Sequence, residues 1–192
     1  MKRVDIVVGP NGAGKSTFIA FTLAPLLPRS VIVNADEIAK QRWPDDPATH
    51  AYEAARIAAD TRARLTEAGI SFIAETVFSH PSKLEMVRAA HDAGYAIVLH
   101  VLLIPEALAV ERVNRRVRHG GHGVPEDKIR ERHRRLWRLV AQAMEIADTT
   151  TVYDNSRRKG PQIVAQLAAG TLIGAPAWPT WAATDLSRRW PA

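Results

Sequence analysis

Gly9-Pro10-Asn11-Gly12-Ala13-Gly14-Lys15-Ser16, set between the apolar run Val4 to Val8 and a helical pattern from Lys15 to Leu23, decides the fold of this chain. The octapeptide fits G-x-x-x-x-G-K-[ST] at every fixed position. Glycines let the backbone curl so that several N–H groups point inward at an anion. The helix that starts at Lys15 adds its positive end. Gly9, Pro10, Asn11, Gly12, Ala13, Gly14, Lys15, Ser16 and Thr17 are therefore the expected nucleotide-binding residues. Lys15 is expected to reach the β- and γ-phosphates and the Ser16 hydroxyl to ligate Mg²⁺, which makes ATP (or GTP) with Mg²⁺ the implied cofactor. A plain strand-turn-helix with glycines at tight dihedrals is the weaker alternative.

Working outward, apolar runs alternate with helical patterns. Val31 to Val33, Ile70 to Ala74, Tyr95 to Leu103 and Thr150 to Tyr153 read as further buried strands. Pro25 and Pro28 stop the first helix, and Asn34 with Glu37 three residues later is an N-cap pair. An alanine-rich helix is expected from about Ala48 to Ala68, closed by Gly69. Others are expected from Pro81 to Gly94, from Pro105 to about Val117, from Pro125, and from Pro161 to Ala169. Ile129, Leu136, Trp137, Val140, Met144 and Ala147 form one apolar stripe on the Pro125 helix. Strands alternating with helices imply an α/β fold of the P-loop kinase type, with a mainly parallel five-stranded sheet covered on both faces. One domain is expected over residues 1–173. Residues 174–192, with Trp178, Trp181 and Trp190, read as a tail whose tryptophans dock on that domain, with an oligomer contact as the weaker alternative.

Composition narrows the class. At 192 residues, 46% hydrophobic and 24% charged, the chain suits one soluble globular domain. No run approaches the apolar length of a membrane helix, and MKRVDIVVG is too short in its apolar part for a signal peptide, so a cytoplasmic protein without membrane contact is expected. The absence of cysteine excludes disulfides, thiolate metal sites and cysteine nucleophiles. The net charge of +6 is matched by residues 111–138 alone, where ten Lys/Arg face four acids. A basic focus of that kind attracts phosphate, whereas an RNA-binding surface would spread more widely.

That segment holds two helices joined by Gly120-Gly121-His122-Gly123 and reads as an arginine-rich lid over the γ-phosphate. Only one helix face can meet the nucleotide; Arg112 and Arg116 share a face at i, i+4. His122 lacks a second histidine at ligand spacing, so zinc is not expected. Asp36 lies just past the second strand, and Glu75, followed by Thr76, at the end of the third. In open parallel sheets ligands collect at the carboxyl ends of the strands. One of these acids is thus placed to take a proton from an acceptor hydroxyl, the other to hold Mg²⁺ through water or to orient the substrate. There is no LSGGQ-like run, no Asn/Thr-Lys-x-Asp guanine-reading pattern and no apolar run ending in Asp-Glu. A compact kinase is the class that remains.

GPNGAGKST (9–17), VNADEIA (33–39), AGISFIAETVFS (68–79), AGYAIVLHVLLI (93–104), ERVNRRVRHGGHGVPEDKIRERH (111–133) and YDNS (153–156) resemble, in this order, the zeta-toxin family of P-loop kinases, and within it the short bacterial members often labelled as predicted ABC-type ATPases. The resemblance implies transfer of the ATP γ-phosphate to a hydroxyl of UDP-N-acetylglucosamine or a related nucleotide sugar, and a small helical antitoxin as protein partner. It implies Lys15 and Ser16 as phosphate and Mg²⁺ ligands, Asp36 as general base, and Glu75 with Thr76 as the substrate-orienting pair. Arg112 or Arg116, with a residue of the His119–His122 loop, is implied as the lid contact on ATP. The toxins place an arginine just before the loop proline, where this chain has His122. The alternatives are a nucleic-acid end kinase, disfavoured because Trp137 is the lone aromatic among residues 111–138, and a non-catalytic nucleotide-binding module.

Overall fold

The apolar run before the glycine loop lies in the middle of the sheet. In a computed structural model that describes residues 1–119, 121 and 123–192, β1 (Arg3–Val8) pairs in parallel with β3 (Phe72–Thr76) and β4 (Ala96–Leu103). Outside these, β2 (Val31–Asn34) pairs with β3 and β5 (Thr149–Asp154) with β4, again in parallel. Two antiparallel strands, β6 (Gln162–Ala168) and β7 (Thr171–Leu172), extend the sheet beyond β5. The order is β2-β3-β1-β4-β5-β6-β7. The expected five parallel strands are present, but the sheet formed by the described residues has seven strands.

Pairing on both sides explains why β1 is apolar on both faces. Val4, Ile6 and Val8 pack with α4 (Ser82–Asp92) and the stripe Leu136, Val140 and Met144 of α6 (Glu126–Ile146). Val7 packs on the other face with Phe18, Ile19 and Leu23, and with Val110 and Val113 of α5 (Glu106–Arg118). Asp5, buried in that run, is reconciled by its partners: the Arg3 guanidinium at 2.6 and 2.7 Å and His100 Nε2 at 3.0 Å. Burial pushes its carboxyl up, and the hydrogen bonds from His100 and Arg3 outweigh this and hold it low.

Helix α1 (Lys15–Phe18) continues as a single π turn over Ile19–Leu23, closed by Ala24 N–H donating to Ile19 O at 2.8 Å. Asn34 caps α2 (Ala35–Arg42) by accepting from the Asp36 N–H at 2.8 Å. Glu37 pairs with Lys40 rather than closing the cap. The alanine-rich α3 spans Ala51–Glu67, beginning one turn later than expected.

The segment expected as a helix from Pro161 to Ala169 is β6. Its Val164, Ala165 and Leu167 face the core while Gln162, Ile163 and Gln166 face outward. Ala169 and Gly170, both at positive φ (45° and 74°), form the two-residue turn into β7. The stretch from Gly174 lies against the sheet and α6. Ala177 N–H donates to Val164 O at 2.7 Å, and Leu186 of α7 (Thr184–Ser187) joins the main core. Trp190 is buried and donates to Gly170 O at 2.8 Å, and Trp178 donates to Trp190 O at 2.7 Å. Trp181 is exposed. No helix of the described residues is long and apolar enough to cross a membrane.

Candidate active site

Gly9 leaves β1 at φ 153°, and a Cβ placed there would come within 2.5 Å of Leu102 O on the neighbouring strand, so only glycine lets the loop pass β4 this closely. Gly12 (φ 76°) and Gly14 (φ 84°) supply the left-handed residues of the curl. Ala13 N–H closes it by donating to Pro10 O at 3.2 Å. Lys15 is buried, and its ammonium donates to the carbonyls of Gly9 and Pro10, both at 3.0 Å. Burial lowers its pKa; Glu75 and Asp36 oppose the shift and Arg116 adds to it.

Sheet register brings the acidic residues to this loop. Glu75 lies level with Val7 on one side and Asn34 on the other, on the face of the sheet that carries α1. Ser16 Oγ donates to Glu75 Oε1 at 3.0 Å, and Asn34 Nδ2 donates to Glu75 Oε2 at 2.6 Å. Burial pushes the Glu75 carboxyl above its ordinary range against the Lys15 ammonium and the Ser16 hydrogen bond, with Asp36 and Glu37 raising it further. Asp36 sits exposed in the first turn of α2, beside the same group. Asn34 is thus a site residue that the sequence marked only as a cap; its two amide atoms tie Glu75 to the start of α2.

Thr76 is half-buried, and its hydroxyl accepts the Phe78 N–H at 3.1 Å. Phe78 is fully buried at φ 65°, a conformation a non-glycine residue holds only where its surroundings compel it.

On the other side of the loop stands α5. Arg112 donates to Gly12 O and to Ser156 O, each at 3.4 Å, bracing the loop against the turn after β5. Arg116 lies one turn further on, close enough to Lys15 for its charge to be felt there. Its side chain fills the space where a Cβ on Gly121 would fall, at 2.5 Å, and Gly121 N–H donates to Arg116 O at 2.9 Å. His119 Nδ1 donates to Arg115 O at 2.7 Å. His122 lies outside the described residues. Other lid cations are engaged in surface ion pairs: Arg130 with Glu106 and Glu126, and Arg135 with Glu131. Asn155, quoted in the sequence only as part of YDNS, donates from Nδ2 to Ala13 O at 2.7 Å.

The donors fit a nucleotide-borne Mg²⁺. Such an ion keeps waters and phosphate oxygens and asks for one or two protein oxygens, and the Ser16 hydroxyl beside Glu75 offers them. The described residues hold no cluster of three or more His, Asp or Glu able to cage a metal by themselves.

Comparison with known proteins agrees with this fold. A protein of Haemophilus influenzae whose function is uncharacterized is 28% identical over 126 residues, 65% of this chain and 88% of its own. The AvrRxo1-ORF1:AvrRxo1-ORF2 complex with ATP contains a chain of similar fold (TM-score 0.63, 13% identity, 90% of this chain covered). This chain spans 60% of that protein's length. The PezAT chromosomal toxin-antitoxin system of Streptococcus pneumoniae contains another (TM-score 0.62, 15% identity, 88% of this chain and 75% of that one). The family model described as zeta toxin matches residues 1–160. With the phosphate loop, the five parallel strands in the order 2-3-1-4-5 and the arginine-bearing α5 all inside that match, the chain belongs to the zeta-toxin family of P-loop kinases.

Proposed function

We propose that this kinase moves the γ-phosphoryl group of ATP to a hydroxyl of a small acceptor, with a nucleotide sugar such as UDP-N-acetylglucosamine as the acceptor to try first. The observation that carries this reading is the chain Asn34–Glu75–Ser16, which sets Glu75 and the neighbouring Asp36 against the serine of the phosphate loop. Mg²⁺ arriving with ATP would be held at the Ser16 hydroxyl beside Glu75, where it would supply neutralisation of phosphate charge. Residues 9–17 hold the phosphates by backbone N–H groups, Lys15 turns its ammonium from the loop carbonyls to phosphate oxygens, and Ser16 offers its hydroxyl to the metal. Exposed Asp36 takes the acceptor proton, while Glu75 and Thr76 hold the acceptor in line. Arg116 supplies positive charge on the opposite side, where Arg112 braces the loop through Gly12 O and Ser156 O. A small antitoxin, of the sort found with the similar toxins, is the expected protein partner.

The test is transfer from labelled ATP with Mg²⁺ to a panel of nucleotide sugars and oligonucleotides, with the product identified by mass. The expected result is a phosphorylated small molecule. Asp36→Asn is expected to bind ATP as the wild type does and to lose transfer by about 10²- to 10⁴-fold, the usual worth of a positioned base. Full transfer by that variant removes Asp36 from the role. Label found on oligonucleotide ends, with steeply salt-dependent binding, would replace the small acceptor by a nucleic acid.

A further inference from the structure

The turn that follows β5 has no part in the transfer as described, yet it is built against the phosphate loop. Asp154 is buried, and its Oδ1 accepts the Ser156 N–H at 2.8 Å, a tight side-chain turn. The turn aims Asn155 inward. Its own N–H donates to Leu103 O at 2.9 Å, which ties it to the end of β4. Its Nδ2 then donates to Ala13 O at 2.7 Å. Gly14 leaves room for this contact: a Cβ on that residue would stand 2.8 Å from the same amide nitrogen. One residue back, Arg112 reaches Gly12 O and ties it to Ser156 O, both at 3.4 Å.

Two consecutive loop carbonyls are therefore held by side chains from outside the loop. In a planar trans peptide the C=O and the following N–H point in opposite directions. Fixing Ala13 O outward on Asn155 consequently fixes the Gly14 N–H inward. That peptide sits before a glycine at φ 84°, where backbone rotation meets little steric resistance. Rotated, it would present a carbonyl oxygen where a phosphate needs a donor.

We infer that Asn155 is a positioning residue for the donor phosphates: its side-chain amide sets the Ala13–Gly14 peptide plane and thereby the direction of the Gly14 N–H. The inference rests on residues 9–16 being the triphosphate site.

The experiment measures ATP and ADP binding calorimetrically, with thermal melts in the absence of nucleotide, for the wild type, Asn155→Ala and Asn155→Asp. Asn155→Ala is expected to weaken both nucleotides about tenfold, the worth of one hydrogen bond that orients a charged ligand, with little change in melting temperature. Asn155→Asp keeps the size but has no donor while ionised, so its carboxylate faces the Ala13 carbonyl and binding is weaker still. Protonation restores an O–H donor. Its affinity relative to wild type is therefore expected to recover as the pH falls from about 8 to about 5, across the range of a carboxyl pushed up by an adjacent carbonyl. Wild-type ATP affinity in Asn155→Ala overturns the inference. So does an Asn155→Asp profile parallel to that of the wild type, or a loss of melting temperature that accounts for all of the lost affinity. Absence of ATP binding by the wild-type protein would instead overturn the underlying reading of the loop, and this inference with it.

Discussion

On its β3 side the phosphate loop faces ionisable groups in partial contact with water, and on its β5 side it faces donors already engaged with backbone. Glu75, Asp36 and Ser16 make up the first wall, where a hydroxyl and two carboxylates act on each other's charge. Arg112 and Asn155 make up the second, and both donate to loop carbonyls, of Gly12 and Ala13. Lys15 lies between, buried and feeling charges from both directions. A perturbed, half-buried acid beside an exposed one suits a wall that handles protons and an acceptor. A wall of satisfied hydrogen bonds suits the holding of a shape. Substitutions on the two sides should therefore fail differently, the first in turnover and pH response, the second in nucleotide affinity.

The largest effect is expected where the walls meet. Lys15→Met removes the one buried cation of the loop and should lower single-turnover transfer by about 10³-fold or more, in the range found for preorganised cations at a transferring phosphoryl group. The same change should leave the protein without nucleotide at least as stable as before, because burial of the ammonium opposes its charge. Rate and melting temperature moving down together would show that the lysine is needed for the fold of the loop and not for phosphate.

Arg112→Ala addresses the second wall alone. Loss of its contacts to Gly12 O and Ser156 O should raise the KM for ATP about tenfold and leave kcat nearly intact, since a brace acts on ground state and transition state alike. The opposite split, a lower kcat at unchanged KM, would move Arg112 from the wall to the transferring group itself. Steady-state kinetics at saturating acceptor separates the two.

The first wall was the more legible of the two in the sequence. Asp36 and Glu75 stand at strand ends, and the parallel register puts strand ends on one rim, so the order of elements alone brought them to the loop. Asn34 was visible only as a helix cap, because nothing in a linear pattern says that the other half of its amide turns to Glu75. The second wall depends on long-range contacts. Asn155 is 142 positions from Ala13, and a single Asn after a strand has no periodicity to betray it. The strands β6 and β7 were missed for a local reason. Pro161 followed by an alanine-containing stretch looks like a helix start, whereas the turn at Ala169–Gly170 and the outward Ile163 and Gln166 make a hairpin. The docking of the tail is legible in its tryptophans, and Trp178 and Trp190 do pack on the domain, whereas α7 and its buried Leu186 are not, because a Pro- and Trp-rich run has no period.

The smallest effect, and the one most specific to the first wall, concerns the proton of Glu75. Burial holds its carboxyl above the ordinary value of 4.5, against Lys15 and Ser16 and with help from Asp36 and Glu37. In the pH window from that ordinary value up to the raised one, the folded protein carries more of this proton than the unfolded chain. Stability contributed by the site therefore falls as the pH rises through the window. Glu75→Gln removes the titration while keeping both contacts, since the amide oxygen can accept from Asn34 and the amide nitrogen can donate to the Ser16 hydroxyl. Denaturant melts at stepped pH should show the wild type losing stability relative to Glu75→Gln as the pH rises through the window, with the two converging at its acid end. The same comparison for Arg112→Ala should run parallel to the wild type, because that change leaves Glu75 and its contacts to Ser16 and Asn34 in place. Equal slopes in wild type and Glu75→Gln would place the perturbed proton on another group and dissolve the contrast between a wall that titrates and a wall that holds.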